Sequence, residues 1–302
     1  MKETILITGA GPNGITGRRI KERIEDLKEY NVLSPSSKEL NLISKYEVDR
    51  YFRENSIDYI IHSAVVSPSR GHDNSEPKDE IENNLRMYFN LASHFKDFKK
   101  MFVFGSGAEY DKSKDIINVK EIESDICIPN DKYGFVKFII HRHVLNSSNI
   151  YNLRLFGTLN PLEPPTRNVV SNICAKITLG LPVVLKRDCR FSFVDIDDVA
   201  DFIIYGIKNN LQFHVYNLIS DSNLLLSEIV RKAQELASLK GSPSFIESGL
   251  NKEYTGNNNR WKNEFSNLTT IEESIKKVLE EMKRKKNTID ISELDHRWKN
   301  KK

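Results

Sequence analysis

Glu3-Thr4-Ile5-Leu6-Ile7-Thr8-Gly9-Ala10-Gly11-Pro12-Asn13-Gly14-Ile15-Thr16-Gly17 opens the chain and decides its fold. A short β-branched and aliphatic run enters a glycine-rich turn, and Ile20, Ile24 and Leu27 then recur at helical spacing. Glycines in such a turn let the backbone approach a pyrophosphate. The helix that follows offers unpaired N–H groups at the positive end of its dipole. Two frames fit a dinucleotide fingerprint, Gly9-x-Gly11-x-x-Gly14 and Gly11-x-x-Gly14-x-x-Gly17. The second is favoured because it leaves Thr8 and Gly9 to finish the strand, and it makes Gly11, Asn13, Gly14 and Gly17 the expected contacts.

Outward from this turn, strands near Ile5, Val32, Ile60, Val103 and Leu153 alternate with helices over 18–27, 45–53, 80–94 and 133–145. Such alternation predicts an α/β fold with a doubly wound parallel sheet covered on both faces. It weakens after Gly157 at the breaker cluster Asn160-Pro161-Leu162-Glu163-Pro164-Pro165, and helices return over 226–236 and 271–282. The lysine-rich end, 276–302, fits a solvated amphipathic helix with a frayed terminus.

Composition excludes several classes. Across 302 residues, 45 Lys and Arg against 42 Asp and Glu leave a net charge of +3, too balanced for a nucleic-acid partner. Cys127, Cys174 and Cys189 are too few and scattered for a disulfide framework, and no His/Cys/Asp cluster has ligand spacing, so no metal is expected. No stretch reaches the roughly 18 apolar residues of a membrane span. Met1-Lys2-Glu3 leads into a strand rather than a signal peptide, so a cytoplasmic protein is expected.

Chemistry enters with Tyr133-Gly134-Phe135-Val136-Lys137. Residues four apart on a helix share a face, so phenol and ammonium project into one space. An unperturbed phenol has a pKa of about 10, and an adjacent ammonium favours its ionised form. A phenol so placed can exchange a proton with a carbonyl or hydroxyl oxygen during hydride transfer. Lys100-Met101-Phe102-Val103-Phe104 predicts a buried strand that ends at Gly105-Ser106, and a serine there faces the crevice where doubly wound sheets bind ligands. His62, at the end of an apolar strand, is expected to be a satisfied core or crevice residue, and His141 to pack or face water.

Glycine turn, strand-end serine and Tyr-x-x-x-Lys, in this order, resemble the extended short-chain dehydrogenase/reductase family, in its nucleotide-sugar reductase and epimerase group. The likeness covers nearly the whole chain and runs furthest toward the GDP-fucose synthase-like 4-keto reductases. Residues 129–137 look like the family's Pro-x-x-x-Tyr-Gly-x-x-Lys segment, Leu153-Arg154-Leu155-Phe156-Gly157 its following strand, and Asn84 its structural asparagine. Glu39-Leu40-Asn41-Leu42 and Phe191-Ser192-Phe193-Val194-Asp195 also match family segments.

The resemblance implies a Rossmann domain over 1–157, with 191–220 returning to it, and a smaller substrate lobe from 158–190 and 221–302. It implies Ser106, Tyr133 and Lys137 as catalytic residues, a nucleotide-diphosphate sugar as substrate, and a homodimer. Ala64, Tyr133 and Lys137 join the expected cofactor contacts. Arginines and lysines suit diphosphates, which makes Lys186, Arg190 and Arg260 candidate substrate ligands, with Asn168 beside them.

Ser34, Ser36, Ser37 and Lys38 follow the second strand with no carboxylate before Glu39, which favours NADP over NAD. Gly107 and Ala108 replace the Asp-Glu pair of the related dehydratases, and Glu109 comes one position too late to stand in. Ala108 and Asn168 stand where GDP-fucose synthases carry the Cys and His that epimerise, so reduction without epimerisation is expected. A nucleotide-sugar 4-epimerase that retains NAD, and a cofactor-binding protein without turnover, are the other two readings.

Overall fold

The computed structural model describes residues 2–66, 79–126 and 128–295. Its first half runs β1 (Thr4–Thr8), α1 (Ile15–Leu27), β2 (Asn31–Leu33), α2 (Lys45–Glu54), β3 (Tyr59–His62), α3 (Glu80–Ala92), β4 (Lys100–Ser106), β5 (Ile116–Val119), α4 (Lys132–Val144) and β6 (Ile150–Leu155). Then come β7 (Gly157–Leu159), α5 (Val169–Thr178), β8 (Val184–Leu185), β9 (Arg190–Asp195), α6 (Ile196–Lys208) and β10 (Val215–Leu218). The chain continues through β11 (Asn223–Leu225), α7 (Leu226–Leu236), β12 (Ser244–Phe245), β13 (Tyr254–Gly256), α8 (Asn259–Glu264) and α9 (Ile271–Arg284).

Six strands pair in the order β10–β6–β4–β3–β1–β2, and every pairing in this sheet is parallel. The strand period of two sorts the core. Ile5, Ile7, Tyr59, Ile61, Phe102 and Phe104 pack on one face with Ile20 and Ile24 of α1 and with Val199, Phe202 and Ile203 of α6. Their neighbours Leu6, Ile60, Met101 and Val103 pack on the other with Val48, Tyr88, Leu91, Val136 and Ile140 of α2, α3 and α4. The predicted doubly wound α/β architecture is therefore present. The chain leaves β1 for β2 on one side and β3 on the other, a switch point that opens a crevice at the carboxyl ends of β1 and β3.

One placement differs from expectation. β9 does not return to the six-stranded sheet; α6 packs against it and β10 joins it. β9 instead pairs with β7, β11 and β13, and β13 pairs with β5, in a second sheet. An alternating aromatic strand carries no label for which sheet completes its ladder. A third core joins Val170, Ile173, Cys174 and Ile177 of α5, Ile229 and Ala233 of α7, and Ile275, Val278, Leu279 and Met282 of α9. Cys174 and Cys189 are buried free thiols, and Cys127 lies outside the described residues. No helix among the described residues is long and apolar enough to cross a membrane.

Candidate active site

The glycine turn is built on steric demand. Gly9 has φ +70°, and a Cβ there would lie 2.5 Å from the Ala64 amide nitrogen. A Cβ on Gly14 would lie 1.8 Å from the Gly9 carbonyl oxygen, and one on Gly17 would lie 2.6 Å from it. Gly11 is different, since nothing lies within 4 Å of its added Cβ. Gly9, Gly14 and Gly17 thus lock the turn against β3 and α1, while Gly11 faces open space. Gly9 belongs to this lock rather than to the strand, which ends at Thr8.

A cavity of about 440 Å³ lies at the switch point. Its walls include Gly11, Asn13, Gly14, Ser36, Ser37 and Ala64 from the expected cofactor set. Gly17 does not face it, because its place is the close packing under the turn. Ser34 and Lys38 are not among its walls either, and Lys38 is exposed. Glu39 folds back instead: its Oε2 accepts the Ser36 amide at 2.7 Å, and that backbone bond holds its carboxyl below the ordinary carboxylate range.

The walls fit a dinucleotide. Side chains cap the N-termini of α2 (Ser44), α4 (Asp131), α5 (Asn168), α6 (Asp195) and α9 (Thr270). The N-cap of α1, Gly14, gives it no side-chain bond, and its first turn holds no acidic residue. An uncapped helix start beside an open glycine suits an anion supplied from outside the chain.

A second cavity, about 210 Å³, continues past Ser63, Ala64 and Val65, which line both. Asn84 fixes this shared wall, for its Oδ1 accepts the Val66 amide at 2.9 Å and its Nδ2 donates to the Val66 carbonyl at 2.8 Å. Ser106, Tyr133 and Lys137 all line the second cavity, so the structure brings the three expected catalytic residues together. Lys137 Nζ donates to the Phe104 carbonyl at 2.5 Å and sits 5.6 Å from the centre of the Tyr133 ring. Lys112 Nζ lies 5.8 Å from the same ring.

His62 also lines this cavity, with Nδ1 bonded to Thr8 Oγ1 at 2.8 Å. Burial, helped by the Lys137 ammonium, pushes its pKa down to about 3, so the imidazole is neutral at ordinary pH. Glu163 is a further wall residue that sequence reasoning passed over, because it sits in the breaker cluster after Gly157.

Beneath the site lies a dry ion pair. Glu109 and Arg154 are both fully buried, and Arg154 Nε donates to Glu109 at 2.5 Å. Arg154 also donates to Tyr110 Oη, the Glu121 carbonyl, Ser124 Oγ and His141 Nδ1. Glu109 in turn accepts the Ser106 amide at 3.0 Å. The pair therefore ties the end of β4 to β6 and to His141 on the helix bearing Tyr133. Glu109 points away from the cavity, as its position in sequence predicts, and His141 packs.

The four expected substrate ligands line neither cavity. Asn168 spends its amide on capping α5 and on the Thr158 carbonyl. Lys186 pairs with Glu247 at 3.3 Å, and Arg190 donates to the Asn223 carbonyl at 2.8 Å. Arg260 stacks on Phe213, donates to the Val215 carbonyl and lies 3.7 Å from Glu121. Cationic and amide side chains satisfy such partners as readily as a diphosphate, and residue type alone does not separate the two uses.

A glycine-locked turn at the switch point of a doubly wound sheet, joined to a cavity walled by Ser106, Tyr133 and Lys137, defines a dinucleotide-dependent oxidoreductase. The chain belongs to the NAD dependent epimerase/dehydratase family, whose model matches residues 5–218. It is similar to GDP-L-colitose synthase of Yersinia pseudotuberculosis, with 24% identity over 94% of this chain and 99% of that one. Among solved structures it is similar to a GDP-L-fucose synthetase from Naegleria fowleri bound to NADP, with a TM-score of 0.75 at 14% identity, covering 95% and 96% of the two chains. It is also similar to MlghC, a GDP-mannoheptose C4 reductase from Campylobacter jejuni with NADP bound, with a TM-score of 0.73 at 18% identity over 93% and 98%.

Proposed function

We propose that this protein uses NADPH to reduce the 4-keto group of a nucleotide-diphosphate deoxysugar. The observation that carries this reading is the continuity of the two cavities through Ser63, Ala64 and Val65. A dinucleotide anchored at Gly11 and the start of α1 has a walled path from there to Tyr133 and Lys137. Relatives support it, since two solved neighbours carry NADP and one is a C4 reductase.

When bound, NADPH supplies the hydride that arrives at C4. Tyr133 gives its proton to O4, and Ser106 donates a hydrogen bond to the same oxygen. Lys137, anchored on the Phe104 carbonyl, holds the ribose next to the nicotinamide and faces the Tyr133 ring. In this reading residues 1–157, with α6 and β10 from the segment 191–220, carry the cofactor, and 158–190 with the chain after 220 supply the lobe that binds the sugar. Purified protein with GDP-, CDP-, UDP- and dTDP-linked 4-keto sugars tests it. NADPH oxidation with one of them is the expected result. Co-purified NAD with interconversion of 4-epimers would replace it by the epimerase reading, and cofactor binding with no turnover on the whole panel by a binding role.

Ser36 and Ser37 at the cavity wall, with Glu39 engaged by the Ser36 amide, favour a 2′-phosphate. NADPH should bind about 10-fold or more tightly than NADH, the worth of roughly 1.5 kcal/mol in one phosphate contact. Equal affinities by titration calorimetry would remove this preference.

The product should keep its configuration at C3 and C5. Epimerisation needs one group to take a proton and a second to return it on the opposite face. Of the titratable wall residues, Tyr133 and Lys137 serve O4 and the ribose in this reading and His62, with a pKa near 3, is too weak a base to take the proton, which leaves Glu163 without a second group. Neither Ala108 nor Asn168 can carry a proton, and neither lines the cavity. Proton NMR of the product checks this, and a C3 or C5 epimer formed only with enzyme would overturn it.

A further inference from the structure

We propose that Tyr254 is a positioning residue that turns the Ser106 hydroxyl into an obligate donor toward the substrate carbonyl, an inference that rests on the reductase reading above. A serine hydroxyl has one proton and two lone pairs. One lone pair of Ser106 is already taken, because Oγ accepts the Ala108 amide at 3.1 Å. Tyr254 Oη lies 3.5 Å from the same oxygen. If Tyr254 donates, both lone pairs are filled, and the one remaining bond Ser106 can make is with its own proton, outward into the cavity it lines.

Two features make Tyr254 the donor in this proposal, and a third holds its ring in place. Ser106 Oγ is the polar atom within hydrogen-bond reach of Tyr254 Oη among the described residues, so the phenol proton has one place to go. The hydroxyl end of Tyr254 is enclosed, and burial pushes its pKa up, which keeps it protonated. Its ring is wedged against Phe156 and Phe191, with centroids 5.0 and 4.8 Å away. Gly107 admits the hydroxyl, since a Cβ there would stand 2.6 Å from Tyr254 Oη. Tyr254 is not among the cavity walls, so it acts through Ser106 and not on substrate. At 3.5 Å the pair is longer than an ordinary O–H···O bond, and in this proposal it tightens when the site loads, as bonds in ligand-free active sites often do.

Tyr254→Phe keeps the ring and removes the hydroxyl. Turnover of the 4-keto sugar should fall about 10-fold, as for one neutral hydrogen bond, with melting temperature and NADPH affinity unchanged. In a Ser106→Ala background the same change should cost less than about twofold, because its route of action is gone. An equal loss in both backgrounds, or no loss in the wild type, would overturn the proposal. A crystal structure of the wild-type protein with NADPH bound decides the matter even if no keto sugar is turned over or the variant does not fold. Oη–Oγ within about 3.2 Å and no other acceptor at Tyr254 is the expected geometry; a water between them, or Tyr254 bonded elsewhere, would overturn it.

Discussion

Tyr133→Phe should lower turnover by about two or more orders of magnitude, the usual cost of losing a general acid, while NADPH binding changes little. The ring that remains still stacks under Lys137 and Lys112, so packing is kept and only the transferable proton goes. Ser106 still polarises the keto oxygen but has no proton to deliver at reasonable cost. Steady-state kinetics and cofactor titration on the same preparation separate the two effects. Near-full activity would remove Tyr133 from the chemistry and leave Glu163 as the proton donor to test.

The second large effect is expected from Glu109→Gln. Arg154 has no exposed surface, and Glu109 is its carboxylate partner. Removing the charge leaves a buried guanidinium without its ion-pair partner and with only the weaker influence of Glu121, and it turns an acceptor that now serves Arg154, Asn152 and the Ser106 amide partly into a donor. Breaking a buried pair from one side costs about 3–5 kcal/mol, which urea unfolding resolves. A loss under about 1 kcal/mol would mean that water or a rotated side chain takes over the bond.

Much of the site was legible because its parts are local. The β1–turn–α1 unit is contiguous, so glycine spacing and helix periodicity identify it without any partner. Tyr133 and Lys137 share a helix, and a four-residue separation puts them on one face whatever the helix packs against. Ser106 ends a hydrophobic strand, which in a parallel sheet places it at the crevice. Absence has a local signature too: Ala108 has no titratable atom in any fold.

Whatever depended on distant segments was decided by the tertiary structure. Which glycines lock the turn and which one faces the cavity depends on the segment after β3, where the Ala64 backbone leaves no room for a Cβ on Gly9, and that segment is far along the chain. Tyr254 reaches Ser106 only because β13 pairs with β5 and β9, and Glu163 reaches the cavity only through the path taken after β6. Asn168, Lys186, Arg190 and Arg260 were plausible ligands by chemistry, yet capping, ion pairing and stacking hold them elsewhere. Sequence by itself determined the fold class and the grouping of Ser106, Tyr133 and Lys137, because hydrophobic period and helical spacing are short-range. The walls around that trio were set by strand pairing across long separations, where a side chain's chemistry says what it can bind but not what it will meet.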